Sequence, residues 1–98
     1  MIQEITTHSQ FNEINKTKVL VYFYASWDPS CQVLDSVIKH LSQTYNILKI
    51  NIDNKNLAFL IEELKIISVP SFIFIEEGIE KDRGEGNLSF KDLKQMFN

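Results

Sequence analysis

VLVYFYASWDPSCQVLDSVIKHLSQT, residues 19–44, decides the fold. Its first six residues are almost all apolar and β-favouring, the pattern of a central strand buried on both faces, so helices must cover both sides of the sheet that contains it. From Pro29 onward the apolar residues Val33, Leu34, Val37, Ile38 and Leu41 recur at helical spacing, with Gln32, Ser36, Lys39 and Gln43 on the other side. Asp28 is a preferred N-cap residue, Pro29 suits the first helical position, and Cys31 at the third offers its backbone N–H to the Asp28 carboxylate. Strand, tight junction and long amphipathic helix therefore follow one another within 26 residues.

Outward from this unit, residues 2–5 form a short first strand, and Ser9, Phe11 and Ile14 a short helix that ends before Lys16. Residues 47–52 (ILKINI) alternate and give a second parallel strand, joined to the first unit by a right-handed crossover. Leu57, Leu60, Ile61 and Leu64 mark a third helix, residues 71–75 (SFIFI) a strand and Glu76-Glu77-Gly78 a turn. The β-like run 79–83 closes an antiparallel hairpin with that strand. Ser89 opens a last helix to Phe97, with Phe90, Leu93 and Phe97 on one face. The expected order is β-α-β-α-β-α-β-β-α, an α/β domain with a central mixed sheet flanked by helices, over residues 1–98 as a single unit.

Composition narrows the function. The chain has 98 residues, 44% hydrophobic, and Lys+Arg 10 against Asp+Glu 13 give a formal charge of −3. The basic residues are scattered, so no nucleic-acid contact is expected. The longest apolar run, residues 19–25, is far short of the ~20 residues of a membrane span, and the first ten residues hold no apolar signal core. One cysteine allows no intrachain disulfide and points to a reducing setting, the cytoplasm or the nucleus. His8 and His40 stand apart as solvated histidines, so no metal site is expected. Gly84-Glu85-Gly86 reads as a turn after the last strand rather than a phosphate cradle. Phe11, Phe59, Phe72, Phe74, Phe90 and Phe97 read as core aromatics.

The order of elements, Trp27-Asp28-Pro29-Ser30-Cys31 after a buried strand, KINID (49–53) in the next strand and Val69-Pro70 before SFIFI resemble the thioredoxin superfamily over nearly the whole chain. That resemblance implies the thioredoxin fold, a cis Val69–Pro70 bond with Trp27 beside it, and a substrate groove. The family carries W-C-G-P-C at the strand-to-helix junction. Here Asp28 takes the first cysteine's place, Cys31 matches the second, Tyr22 replaces the family's buried aspartate, and Lys49 matches the lysine that faces that aspartate. Lys49 is thus expected near Cys31 without its usual partner.

Catalytic disulfide reduction needs one thiolate to attack and a second thiol to release the mixed disulfide, so a single cysteine cannot complete the cycle. Cys31, Leu34, Ile38 and Leu41 share the core-facing stripe, which favours a packed thiol over a reactive one. Cys31 stays the candidate catalytic residue only for a single-thiol chemistry. The function left by this loss is docking of a protein segment through the old substrate groove of Trp27, Asp28, Pro29, Ser30, Val69 and Pro70, by a domain expected to be monomeric.

Within the superfamily, ELKIISVPSFIFI (63–75) with Lys81-Asp82-Arg83 and Gly86 is similar to the N-terminal thioredoxin-like domain of PICOT-type multidomain monothiol glutaredoxins. That resemblance implies a non-catalytic domain in redox and iron–sulfur homeostasis, itself without a cofactor. The glutathione-ligated [2Fe-2S] cluster would belong to a glutaredoxin domain beyond Asn98 in a longer chain. The junction Trp27-Asp28-Pro29-Ser30-Cys31, with Asp35 and the stretch from Gly84 to Asn87, also resembles a spliceosomal thioredoxin-like protein whose turn is W-D-P-T-C. A single-domain monothiol oxidoreductase using Cys31 is the third reading.

Overall fold

A computed structural model describes residues 1–14 and 17–98. The chain runs through β1 (Ile2–Glu4), α1 (His8–Ile14), β2 (Lys18–Tyr24), α2 (Pro29–Ser42), β3 (Asn46–Asn51), a 3-10 turn (Lys55–Leu57), α3 (Ala58–Glu63), β4 (Ser71–Glu76), β5 (Ile79–Glu85) and α4 (Phe90–Met96). The expected helix stop before Lys16 falls on residues 15 and 16, outside the described residues. The five strands lie in the order β1-β3-β2-β4-β5. β1 and β2 pair parallel with β3, while β4 runs antiparallel to β2 and β5 to β4.

Strand parity divides the core into two halves. Val19, Val21 and Phe23 of β2, with Leu48 and Ile50 of β3 and Ile73 and Ile75 of β4, face Phe11, Leu57 and Leu60. The alternate residues Leu20, Tyr22, Ile47, Phe72 and Phe74 face Leu34, Ile38, Leu41, Leu93 and Phe97. Helices α1 and α3 thus cover one face and α2 and α4 the other, which is why residues 19–23 are buried without alternation.

Several residues lie elsewhere than their spacing suggests. Val33 is 70% exposed, because the inward line of α2 is Cys31, Leu34, Ile38 and Leu41 and Val33 falls outside it. Phe59 is also 70% exposed and is no core aromatic: Leu60 turns inward on the same helix while the Phe59 ring lies 6.4 Å from that of His8. His8 is half-buried, and His40 is exposed with its ring stacked on Phe90 at 4.5 Å. Gly84 and Glu85 do not form a turn; they finish β5, where Gly84 pairs with Phe72 and Glu85 with Ser71. Only Gly86, at φ +86°, turns the chain out of the strand. The third helix is split, since a 3-10 turn ends at Leu57, whose φ −108°, ψ 4° breaks the helical path before the 6 residues of α3.

Candidate functional site

The site grows from the junction between β2 and α2. Asp28, in extended backbone, accepts N–H bonds from Ser30 (2.8 Å) and Cys31 (3.2 Å) on one carboxylate oxygen. Two of the donors that a helix start leaves open are thereby satisfied by one side chain. Pro29 is exposed on the first turn and Ser30 half-buried, while Cys31 points inward at 3% exposure.

Tyr22 is fully buried beneath this turn. Its hydroxyl donates to the Cys31 carbonyl oxygen at 3.3 Å, and its ring stacks on Phe72 at 5.3 Å and Tyr24 at 5.6 Å. A neutral aromatic therefore ties β2 to the first turn of α2 where the family resemblance places a carboxylate. Burial pushes the Tyr22 phenol well above the ordinary tyrosine range, and Cys31, Asp35 and Asp28 push the same way. This residue holds its proton at neutral pH and carries no charge there.

Cys31 lines a small cavity of about 140 Å³ with Tyr24, Asp35 and Lys49. Lys49 lies near Cys31 as expected, and in place of the usual partner its Nζ sits 4.5 Å from the centre of the Tyr24 ring, a cation–π contact. Tyr24 donates its hydroxyl to Glu4 at 2.8 Å, and burial, followed by that bond, raises its phenol far above the usual range.

The Val69–Pro70 bond is cis, with Pro70 buried and Val69 half-buried. Polar bonds fix the loop before β4. Ser71 Oγ donates to the Ser68 carbonyl at 2.6 Å, Ser68 Oγ to Glu85 at 2.8 Å, and the Gly86 N–H to the Pro70 carbonyl at 2.9 Å. Arg83, forked onto Glu80 by two 2.8 Å bonds, also donates to the Leu64 carbonyl at 2.8 Å. Across from this loop stands Trp27, 64% exposed, its indole N–H donated to Asp53 Oδ2 at 2.8 Å.

Between them lies a cavity of about 360 Å³ lined by Trp27, Asp28, Ile52, Ile61, Ile66, Ile67, Ser68 and Val69. Of the six expected groove residues it joins Trp27, Asp28 and Val69. Pro29, Ser30 and Pro70 frame the junction and the loop without lining it. Spacing alone missed Ile52, Ile61, Ile66, Ile67 and Asp53. The one signal for them was the pair Ile66-Ile67, apolar residues in a segment that belongs to neither helix nor strand. Among the described residues no group of three or more His, Cys, Asp or Glu is placed to hold a metal ion.

The thioredoxin family model matches residues 2–98. The chain belongs to the thioredoxin family. It is 27% identical over 101 residues to the thioredoxin of Mycoplasmoides gallisepticum, covering 98% of this chain and 99% of that protein. Thioredoxin Y1, chloroplastic, of Arabidopsis thaliana is 34% identical over 87 residues, 86% of this chain but 51% of its own length. Glutaredoxin-3 of Homo sapiens is 26% identical over 90 residues, 87% of this chain and 27% of that protein. A thioredoxin mutant structure from Halobacterium salinarum superposes with a TM-score of 0.91 at 21% identity, covering 98% of this chain and 87% of that one, a likeness of fold alone. Relatives named thioredoxin and a relative named glutaredoxin both match, so the comparisons carry the family and not the branch. Of the features that the resemblance implies at the site, the structure shows the cis Val69–Pro70 bond.

Proposed function

We propose that this thioredoxin-family domain binds a protein segment through the groove of Trp27, Asp28, Pro29, Ser30, Val69 and Pro70, and does not turn over disulfides. The observation that carries the reading is the state of the junction. Asp28 caps α2 through Oδ1, where it offers no thiol for attack, and the remaining thiol, Cys31, is packed at 3% exposure. An extended segment can pair with backbone beside the cis-proline and anchor on Trp27 with no thiol chemistry. The 26% identity to glutaredoxin-3, confined to 27% of that protein, supports the narrower assignment to the thioredoxin-like domain of a PICOT-type monothiol glutaredoxin in redox and iron–sulfur homeostasis. In that setting a glutathione-ligated [2Fe-2S] cluster is the property of a separate glutaredoxin domain.

Insulin reduction with dithiothreitol or with thioredoxin reductase tests the absence of turnover. No acceleration over the blank is expected, and a rate near that of a dithiol thioredoxin overturns the reading. One observation favours a second reading: Cys31 lines a cavity that also holds Lys49. Slow deglutathionylation that disappears in Cys31→Ser would establish that single-thiol activity instead.

A further inference from the structure

We propose that the segment bound beside Trp27 carries an arginine or lysine next to a large apolar residue. The inference rests on the binding reading above and adds the chemistry of the ligand. Its apolar half follows from the cavity, whose walls include Ile61, Ile66 and Val69. Two large apolar side chains on its rim, Trp27 at 64% and Ile67 at 91% exposure, stand largely open to water.

Its cationic half follows from two carboxylates, one at the edge of the indole and one in the cavity wall. Asp28, the one charged residue lining the cavity, uses only Oδ1 for the helix cap, and Oδ2 takes no hydrogen bond among the described residues. Asp53 is held at the ring's edge by the indole N–H. Among the described residues the one ion pair is Arg83–Glu80, so neither carboxylate has a cationic partner, and Lys55, two positions beyond Asp53, makes no such contact. The exposed indole is the best aromatic surface for a cation, and donating its N–H to a carboxylate makes the ring more electron-rich. A guanidinium or ammonium over Trp27 would meet the ring face with Asp53 at its edge, in a cavity whose wall carries the Asp28 charge. An acidic segment would meet two like charges on a chain whose net charge is −3. Asp28 adds this charge where the family's motif has a thiol.

Selection from a phage-displayed library of randomised linear peptides against the intact domain tests the inference. Fluorescence of Trp27, the chain's single tryptophan, reports the affinity of the recovered peptides. Enrichment of arginine or lysine beside a large apolar residue is expected, and exchanging that basic residue for glutamate should weaken binding about tenfold. Asp28→Asn with Asp53→Asn keeps an oxygen acceptor for the cap and for the indole while removing both charges, so it should abolish the preference for the basic peptide. If that pair fails to fold, as judged by thermal melting, each single variant and a salt titration of the wild type give the same readout. Apolar peptides without basic enrichment, bound in a Trp27-dependent way, overturn the charge inference and leave the groove reading standing. Basic peptides that bind the double variant as tightly as the wild type also overturn it. Recovery no better than on bare support overturns both.

Discussion

Replacing Asp28 by alanine removes one carboxylate oxygen that satisfies two backbone N–H groups, at 2.8 and 3.2 Å, on the helix carrying Cys31, Leu34, Ile38 and Leu41 into the core. Loss of such a cap costs about 0.5–2 kcal/mol. A pair of hydrogen bonds accepted by a half-buried residue at the start of a core helix belongs in the upper half of that range, about 1–2 kcal/mol. For a domain of this size each kcal/mol lowers the melting temperature by about 4–8 °C, so Asp28→Ala should melt roughly 5–15 °C below the wild type. Asn caps as well as Asp, and Asp28→Asn loses only the interaction of the charge with the helix N-terminus, about 0.3–1 kcal/mol. Thermal unfolding followed by far-UV circular dichroism at neutral pH ranks the three proteins. An alanine variant that melts with the wild type would show that Asp28 is not needed for the helix start. An asparagine variant as unstable as the alanine one would mean that charge, not hydrogen bonding, carries the effect.

Two further outcomes follow. Tyr22 has its ionisation pushed far up by burial, so the native state keeps a proton that the unfolded chain releases above its ordinary tyrosine value of 10.0. Its contribution to stability is complete below that pH and falls as pH rises beyond it, so Tyr22→Phe, which gives up the bond to the Cys31 carbonyl at every pH, should lose stability less steeply above pH 10 than the wild type, and an unchanged slope would remove Tyr22 from the alkaline transition. On α2, Ile38→Ala in the core should cost about 2–5 kcal/mol, whereas Val33→Ala at the 70% exposed position should stay within about 0.5 kcal/mol in urea unfolding; comparable losses would contradict the inward line of the helix.

The architecture was legible because two signals of different period meet at residues 19–44. A strand buried on both faces requires helices above and below, and the parity of β2 delivers them, with Val21 under α1 and α3 and Leu20 under α2 and α4. Spacing fails where two apolar residues adjoin on a short or one-sided helix. In Val33-Leu34 and Phe59-Leu60 only the second of each pair turns inward, a choice made by the position of the sheet and not by the residue types. Helical periodicity marks a stripe about a hundred degrees wide and cannot set its edge to a single residue. The end of β5 was missed for a related reason. Gly84 reads as a turn residue, yet as a strand residue it leaves room for Leu88, since a Cβ there would lie 2.9 Å from Leu88 Cδ1.

The site divides along the same physical line. Asp28, Pro29 and Cys31 are bound to one another by local rules of helix initiation, so their roles as cap, first helical residue and inward thiol can be read from four consecutive letters. Trp27, Asp53 and Ile67 are brought together from three separate segments, and no periodicity couples positions 27, 53 and 67. What joins them is the crossover. β3 lies beside β2, so the residues just past the ends of both strands share one edge of the sheet, and the loop before β4 arrives at that edge because β4 pairs with β2 from the other side. The groove is therefore a product of strand order. It would persist with any residue at position 28 able to start α2, and what Asp28 contributes to it beyond the cap is a charge.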